Sequence, residues 1–333
     1  MSGGAAASRT WAAADPAAYE AAMARSVWCD RSDRVRIRFS GPQAALTLNG
    51  LLTNDIASLK PGAGLYAAAL TAKGKIIADV RVLASDDGFM VNADAAAGPP
   101  LLAMLRKYVN PRLASFRDIT ADTCEVRIAG PGSAQAVGEV ALDGLPPFAH
   151  LDVNVRGHAA QVVRAPDLGV MAFDLLALAP ARAAMVPALE ASGAVPLDAG
   201  TAEVLRVEAG WPRYSLDMDD AVLAQEAGLD RLGGISFDKG CYTGQETVAR
   251  IRFRGHVNRT LRGLRAAAPV TPGAELHSSD GAPVGTVRSS AVSPRFGPIA
   301  LAYVRREVED GVSVSAAMNG RQVIATITAL PFR

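Results

Sequence analysis

An α+β chain with a small all-β module at its C-terminal end is the architecture this sequence predicts, and three observations predict it. Two strand–Gly-Pro–helix units occur in the same order: Val35-Arg36-Ile37 before Gly41-Pro42, and Val126-Arg127-Ile128 before Gly130-Pro131. Each leads into an alanine-rich segment, which suggests a duplicated α+β subdomain. From about Asn258, short strands alternate with turns and no helix intervenes, the pattern of a barrel or sandwich. A length of 333 residues suits two or three packed cores rather than one. The expected divisions are 1–14 as a disordered tail, 15–120 and 121–257 as α+β subdomains, and 258–333 as the all-β module, with 200–257 packing back on the first subdomain.

Each element has its own signal. Asp15-Pro16 reads as an N-cap and first helical residue, opening a helix to about Arg25. Arg34 to Phe39 alternates strictly, so Val35, Ile37 and Phe39 are expected inward and three arginines outward. Leu65 to Thr71 and Lys75 to Leu83 read as strands joined at Lys73-Gly74, with a further hairpin at Asp86-Asp87-Gly88. Leu101, Leu102, Leu105 and Tyr108 have helical spacing within Pro100 to Val109. A meander of strands follows, at about 150–155, 160–164 and 170–176, and then two helices. Gly193 and Pro196 stop the first; the second is capped by Asp198 or Thr201 and ends at Gly210. In the last module Asn319-Gly320 is the strongest hairpin signal.

Composition excludes several function classes. A formal net charge of +1 gives no global attraction to nucleic acid or to a membrane surface. No apolar run reaches membrane-spanning length, and Met1 to Ala14 lacks the arginines of a transit peptide, so a cytoplasmic location is expected. Cys29, Cys124 and Cys241 are far apart and odd in number, which argues for a reducing compartment. Three thiols and four unclustered histidines cannot by themselves supply a structural zinc or an iron–sulfur cluster with four ligands.

The chemistry concentrates in Lys239-Gly240-Cys241-Tyr242-Thr243-Gly244-Gln245-Glu246. Two glycines allow close approach, and a lysine two residues from the thiol can favour the thiolate. Packing of Cys241 as a small hydrophobe under a glycine turn explains the same residues. Arg250, Arg252 and Arg254 alternate with Ile251 and Phe253 and read as one basic strand face, extended by His256, Arg259, Arg262 and Arg265. Such a face could hold a carboxylate tail or phosphate, or be balanced by acids such as Asp217, Asp219 and Asp220.

The octapeptide, followed by Val248-Ala249-Arg250, resembles the signature of the YgfZ-type folate-binding proteins. These are relatives of the glycine-cleavage T-protein, an aminomethyltransferase, and act in iron–sulfur protein maturation. Leu52-Thr53-Asn54-Asp55, the segment from Ala72 to Asp79, Arg206 to Gly210, and Gly233 to Ser236 extend the resemblance along nearly the whole chain. It implies two folate-binding-type α+β subdomains, a C-terminal β-barrel, and a pocket for tetrahydrofolate or a derivative. It further implies that Asp79 lies by the reactive folate nitrogens, that Glu208 grips the pterin, and that Cys241 is a reactive thiol beside Lys239. Asn54, Tyr242, Gly244, Gln245 and Arg252 complete the expected binding set, with no resident metal.

From the residues alone, an ion pair with Arg81 would explain Asp79, and one with Arg206 or Arg213 would explain Glu208. The leading expectation is a folate-binding accessory protein in iron–sulfur cluster assembly or repair, with client or assembly proteins as partners. A tetrahydrofolate-dependent aminomethyl or one-carbon transferase is the alternative. An RNA- or protein-binding module using the basic face is the second alternative.

Overall fold

The computed structural model describes residues 11–138, 140–155, 157–318 and 320–333. Three sheets organise it. The first is antiparallel, in the order Gly64–Leu70, Ile76–Ser85, Gly88–Ala93, Val35–Ser40, Ser115–Asp118. The second runs Val195–Pro196, Val27–Asp30, Thr123–Ala129, Ala172–Leu178, His158–Arg164, His150–Val155. In the third, Arg259–Ala266, Glu275–His277, Pro283–Ser293, Gly297–Arg305, Ser313–Met318 and Arg321–Thr328 close on themselves. Pairing of Pro283–Ser293 with Gly297–Arg305 completes this six-strand antiparallel barrel. An α+β body followed by a C-terminal barrel is therefore the fold.

The two repeated units have the same local cause. In each, a strand ends at a glycine whose φ is positive, +122° at Gly41 and +106° at Gly130. A Cβ at Gly41 would come within 2.8 Å of the Ala114 Cα, and one at Gly130 within 2.5 Å of the Arg25 carbonyl. Only glycine permits both the dihedral and the contact. The helices Ala44–Leu51 and Ser133–Val137 follow these turns. Asp198 accepts from the Thr201 amide at 2.9 Å and caps helix Ala199–Glu208. That helix buries Val204, Leu205 and Val207 completely and packs against Pro283–Ser293 of the barrel.

Four expectations change. Residues 1–10 of the expected tail, and Asn319 of the expected hairpin turn, lie outside the described residues. Ala12–Ala13 forms a short strand parallel to Ala291 and Val292, so the tail assignment ends before it. Val27–Asp30 pairs with the second sheet rather than the first. Gln245–Arg254 is a helix, not a strand, and Gly244 begins it with φ +87°. An alternation of two carries no sheet unless a neighbouring strand is there to pair with it.

The three arginines of Arg34 to Phe39, expected outward, are the fourth correction. Arg36 is fully buried and Arg34 nearly so; only Arg38 is partly exposed. Arg36 donates to Thr123 Oγ1 at 2.8 Å and to the Arg34, Ser32 and Thr120 carbonyls at 2.8, 3.0 and 2.9 Å. Arg34 Nε donates to Asn92 Oδ1 at 2.6 Å, and Asn92 donates to Glu125 at 2.6 Å. These residues lie where the first two sheets meet, so the face read as solvated is an interface.

A denser ionic cluster sits beside them. Arg127 and Asp174 are register partners in the second sheet. Arg127 donates to both Asp174 oxygens at 2.6 Å and to Asp167 at 2.9 Å. Arg81, from the first sheet, donates to Asp174 at 2.5 Å and to Asp167 at 2.9 Å. Burial opposes ionisation of both aspartates, but the Arg127 and Arg81 guanidiniums outweigh it and hold them below the ordinary carboxylate range. Stability from such depressed groups is present above the unfolded value of about 3.9 and is lost as pH falls through the folded value. Asp174→Asn should therefore cost about 3–5 kcal/mol at neutral pH, because two buried guanidiniums are left sharing one carboxylate. Urea midpoints against pH check this: the gap to wild type should narrow in acid, and a flat gap would contradict it.

Candidate functional site

A cavity of about 690 Å³ opens where the first two sheets meet helix Ala199–Glu208 and the segment after it. Strand periodicity puts Asp79 and Arg81 on one face of Ile76–Ser85, and both line the cavity. Tyr66, register partner of Arg81 on the adjacent strand, donates its hydroxyl to Asp79 Oδ2 at 3.0 Å. The Tyr66 ring is fixed against Phe148 and Trp211, with centroids 6.0 and 5.2 Å away. Trp28, Cys29, Leu197, Trp211 and Tyr214 form much of the wall.

Two acceptor atoms in this lining are buried without a partner: Asp79 Oδ1 and Asp167 Oδ1. A buried carboxylate oxygen with nothing to accept from is costly unless a ligand or water supplies a donor. The two acids differ in charge state. Burial pushes the Asp79 carboxyl up, against the opposing pull of Arg34 and the Tyr66 hydrogen bond. Asp167 is held low by Arg127 and Arg81 despite its burial. Nearer the mouth lie Arg31, Arg182 and Arg213; Arg182 pairs with Asp30 at 2.7 Å, and Arg213 with Glu203 at 3.3 Å.

Of the residues expected to form the catalytic and folate-binding set, Asp79 alone is among those that line the cavity. Arg81 does not pair with Asp79, since Asp167 and Asp174 take it. Glu208 is buried elsewhere. Its carboxylate accepts from Tyr19 at 2.9 and 3.1 Å and from Ser293 at 2.5 Å, which ties the first helix to the barrel. It pairs with neither Arg206, which bonds Glu203 and Asp217, nor Arg213. The Asn54 amide donates to the Tyr66 and Gly233 carbonyls at 2.8 and 2.7 Å, steadying the strand that carries Tyr66.

The octapeptide forms a loop against the far end of the same sheet. Cys241 is exposed and does not line the cavity. Lys239 Nζ donates to the carbonyls of Asn49, Leu52 and Asn54, the latter two at 2.8 Å, and lies 4.9 Å from the Tyr242 ring centre. Burial lowers its pKa to about 8, opposed by Asp55. Tyr242 is buried under the loop, and Gly244 sits where a Cβ would meet the Thr71 carbonyl at 2.6 Å. Gln245 opens the following helix, and Arg252 on it lies over the Phe237 ring at 4.9 Å. The basic stretch is divided among elements: Arg259 pairs with Glu226, Arg262 with Asp310, and Arg265 with the Arg333 carbonyl.

Asp167, Tyr66 and Trp211 went unread in the sequence. Asp167 lies in Pro166-Asp167-Leu168-Gly169, where an aspartate reads as turn chemistry. Its partners lie 86 and 40 residues away, beyond any local pattern.

Residues 6–239 match the GCVT N-terminal domain, and residues 259–333 match the glycine cleavage T-protein C-terminal barrel domain. The chain belongs to the glycine-cleavage T-protein family. It is 30% identical to an aminomethyltransferase of Rubrobacter xylanophilus over 95% of this chain and 85% of that protein. It is 31% identical to one of Streptomyces coelicolor, over 94% and 88%. The fold matches the glycine cleavage system aminomethyltransferase T of Bartonella henselae with a TM-score of 0.85, covering 95% of this chain and 89% of that one, at 21% identity. Among the described residues no cluster of three or more His, Cys, Asp or Glu side chains could hold a metal, and no helix is long and apolar enough to cross a membrane.

Within this T-protein fold, Asp79 carries a stability cost. A carboxyl raised on folding favours the folded state below its unfolded value, and that advantage is lost as pH rises through the folded value. Asp79→Asn should thus raise the melting temperature at pH 7 and leave it near wild type at pH 3. Calorimetric melts at the two values check it; destabilisation at pH 7 would refute the assignment.

Proposed function

We propose that the cavity binds a tetrahydrofolate-type cofactor and that the chain acts as a folate-dependent one-carbon transferase of the aminomethyl kind. The observation that carries this is the pair of unpartnered carboxylate oxygens, Asp79 Oδ1 and Asp167 Oδ1, inside a family fold whose named relatives are aminomethyltransferases. The residues fit the group. Adjacent N–H donors on a pterin edge suit buried acceptors, aromatic walls suit its ring, and mouth arginines suit a carboxylate tail. When bound, a tetrahydrofolate supplies nitrogens that carry the one-carbon unit.

The chain's own residues set up the chemistry. Tyr66, neutral because burial raises its hydroxyl well above the usual range, fixes Asp79 through Oδ2 and leaves Oδ1 without a partner in the protein. A carboxyl raised by burial exchanges a proton nearer neutral pH than an ordinary aspartate, so Asp79 can hold or accept a proton at Oδ1. Arg81 and Arg127 keep Asp167 ionised beside it.

A second reading rests on Cys241. Its exposure in the YgfZ-like loop, away from the cavity lining, suits an accessory role in iron–sulfur cluster assembly or repair. One thiolate would be offered to a client's cluster while partner proteins supply the remaining ligands. In that reading folate acts as a structural or regulatory ligand.

Titration calorimetry with 5-formyltetrahydrofolate tests the binding. Asp79→Ala should weaken affinity at least about tenfold. Glu208→Ala should lower stability and leave affinity unchanged; loss of affinity there would move the site. For the transfer reaction, purified protein with tetrahydrofolate should turn over an aminomethyl donor, and an equal rate in Asp79→Asn would remove the mechanism. Iron–sulfur enzyme activity in cells carrying only Cys241→Ala separates the two readings: it should be normal under the transferase reading and reduced under the accessory one.

A further inference from the structure

Helix Gln245–Arg254 is attached to the body by little. Val248, 2% exposed, is its one buried side chain. At about 100° per residue, Glu246, Arg250, Phe253 and Arg254 fall on one outward stripe with spacing i, i+4, i+7, i+8. Phe253 is 70% exposed. Among the described residues, Arg250 and Arg254 make no ion pair, whereas Arg259 and Arg262 further along are both paired. The helix dipole accounts for cations in the last turn. It does not account for an aromatic ring held in water between them.

We infer that this stripe is a docking face for an acidic protein surface with an apolar pocket. Phe253 would be its anchor and Arg250 and Arg254 its steering charges. The charges favour a protein over a nucleic acid. A phosphate backbone calls for a basic track continuing over several elements, and here the next two arginines, Arg259 and Arg262, are paired with Glu226 and Asp310, while Arg265 is tied to the Arg333 carbonyl. With a net charge of +1, no wider field replaces them. The helix is about 15 Å long, and the exposed Cys241 lies just before its first residue. A partner seated on the stripe therefore lies along the loop that displays the thiol. No residue of this face lines the cavity.

The test places a photo-crosslinking phenylalanine analogue at position 253, and at Ile324 on the barrel as control, since Ile324 is also exposed at 55%. The probe is the nuclease-treated, anion-exchange-retained protein fraction of the source cells. Crosslinking at 253 should exceed that at 324, fall roughly tenfold in R250E/R254E and at high salt, and be unchanged in Asp79→Ala. The protein captured, once purified, should bind the full chain with an affinity lowered roughly tenfold by Phe253→Ala. Equal crosslinking at the two positions, indifference to charge reversal, or capture seen only when the nuclease treatment is omitted would each overturn the inference.

Discussion

The Arg81–Arg127–Asp167–Asp174 cluster is the constraint on which the rest of the molecule depends. Its four side chains come from both α+β sheets and from the turn before Ala172–Leu178. A buried ion cluster of this kind contributes little net stability compared with a hydrophobic core of the same volume, but it tolerates very few arrangements. Sliding either sheet by one residue would turn Arg81 or Arg127 away and leave charges buried without partners. The cluster thus sets the register of one sheet against the other, and the cavity is the space that register leaves.

From this follows the division of labour between two neighbouring acids. Asp167 shares the guanidiniums and stays ionised, while Asp79, one strand position before Val80 and two before Arg81, has no cation within bonding distance and is raised by burial. Environments that drive two carboxyls in opposite directions inside one cavity suit the acid–base role proposed for Asp79. A salt bridge from Arg81 to Asp79 would have abolished the difference. Arg81 is withheld from Asp79 because the second sheet supplies two better-placed aspartates.

The α+β body, the glycine turns of the two units, the Asp198 cap and the barrel were legible in the sequence because each is set by local chemistry. Gly41 and Gly130 need positive φ, and Asp198 needs only the Thr201 amide three residues on. Asp79, which the family resemblance singled out, lines the cavity. What was not legible depends on partners distant in the chain. Arg34 and Arg36 have the alternation of an exposed strand face, and the second sheet that covers them begins elsewhere in the sequence. Arg250 to Arg254 alternates as a strand would, yet no strand is placed to pair with it, so the Gly244 turn starts a helix instead. Glu208 sits in the last turn of its helix, against the dipole, and hydrogen bonds from Tyr19 and Ser293 compensate it.

The role of Lys239 changes with these distances. An ammonium has three N–H bonds, and the carbonyls of Asn49, Leu52 and Asn54 take all three. The lysine therefore fastens the loop to the C-terminal end of helix Ala44–Leu51, where unpaired carbonyls attract a cation. No N–H of Lys239 is left to hold a thiolate. Display of Cys241 then comes from mechanical anchoring on three sides: Lys239 before it, the buried Tyr242 after it, and Gly244 pressed against Thr71. Thr71 follows directly on the strand that carries Tyr66, so the Gly244–Thr71 contact ties the thiol loop to a strand that lines the cavity. Cavity and thiol are separate sites joined by one strand.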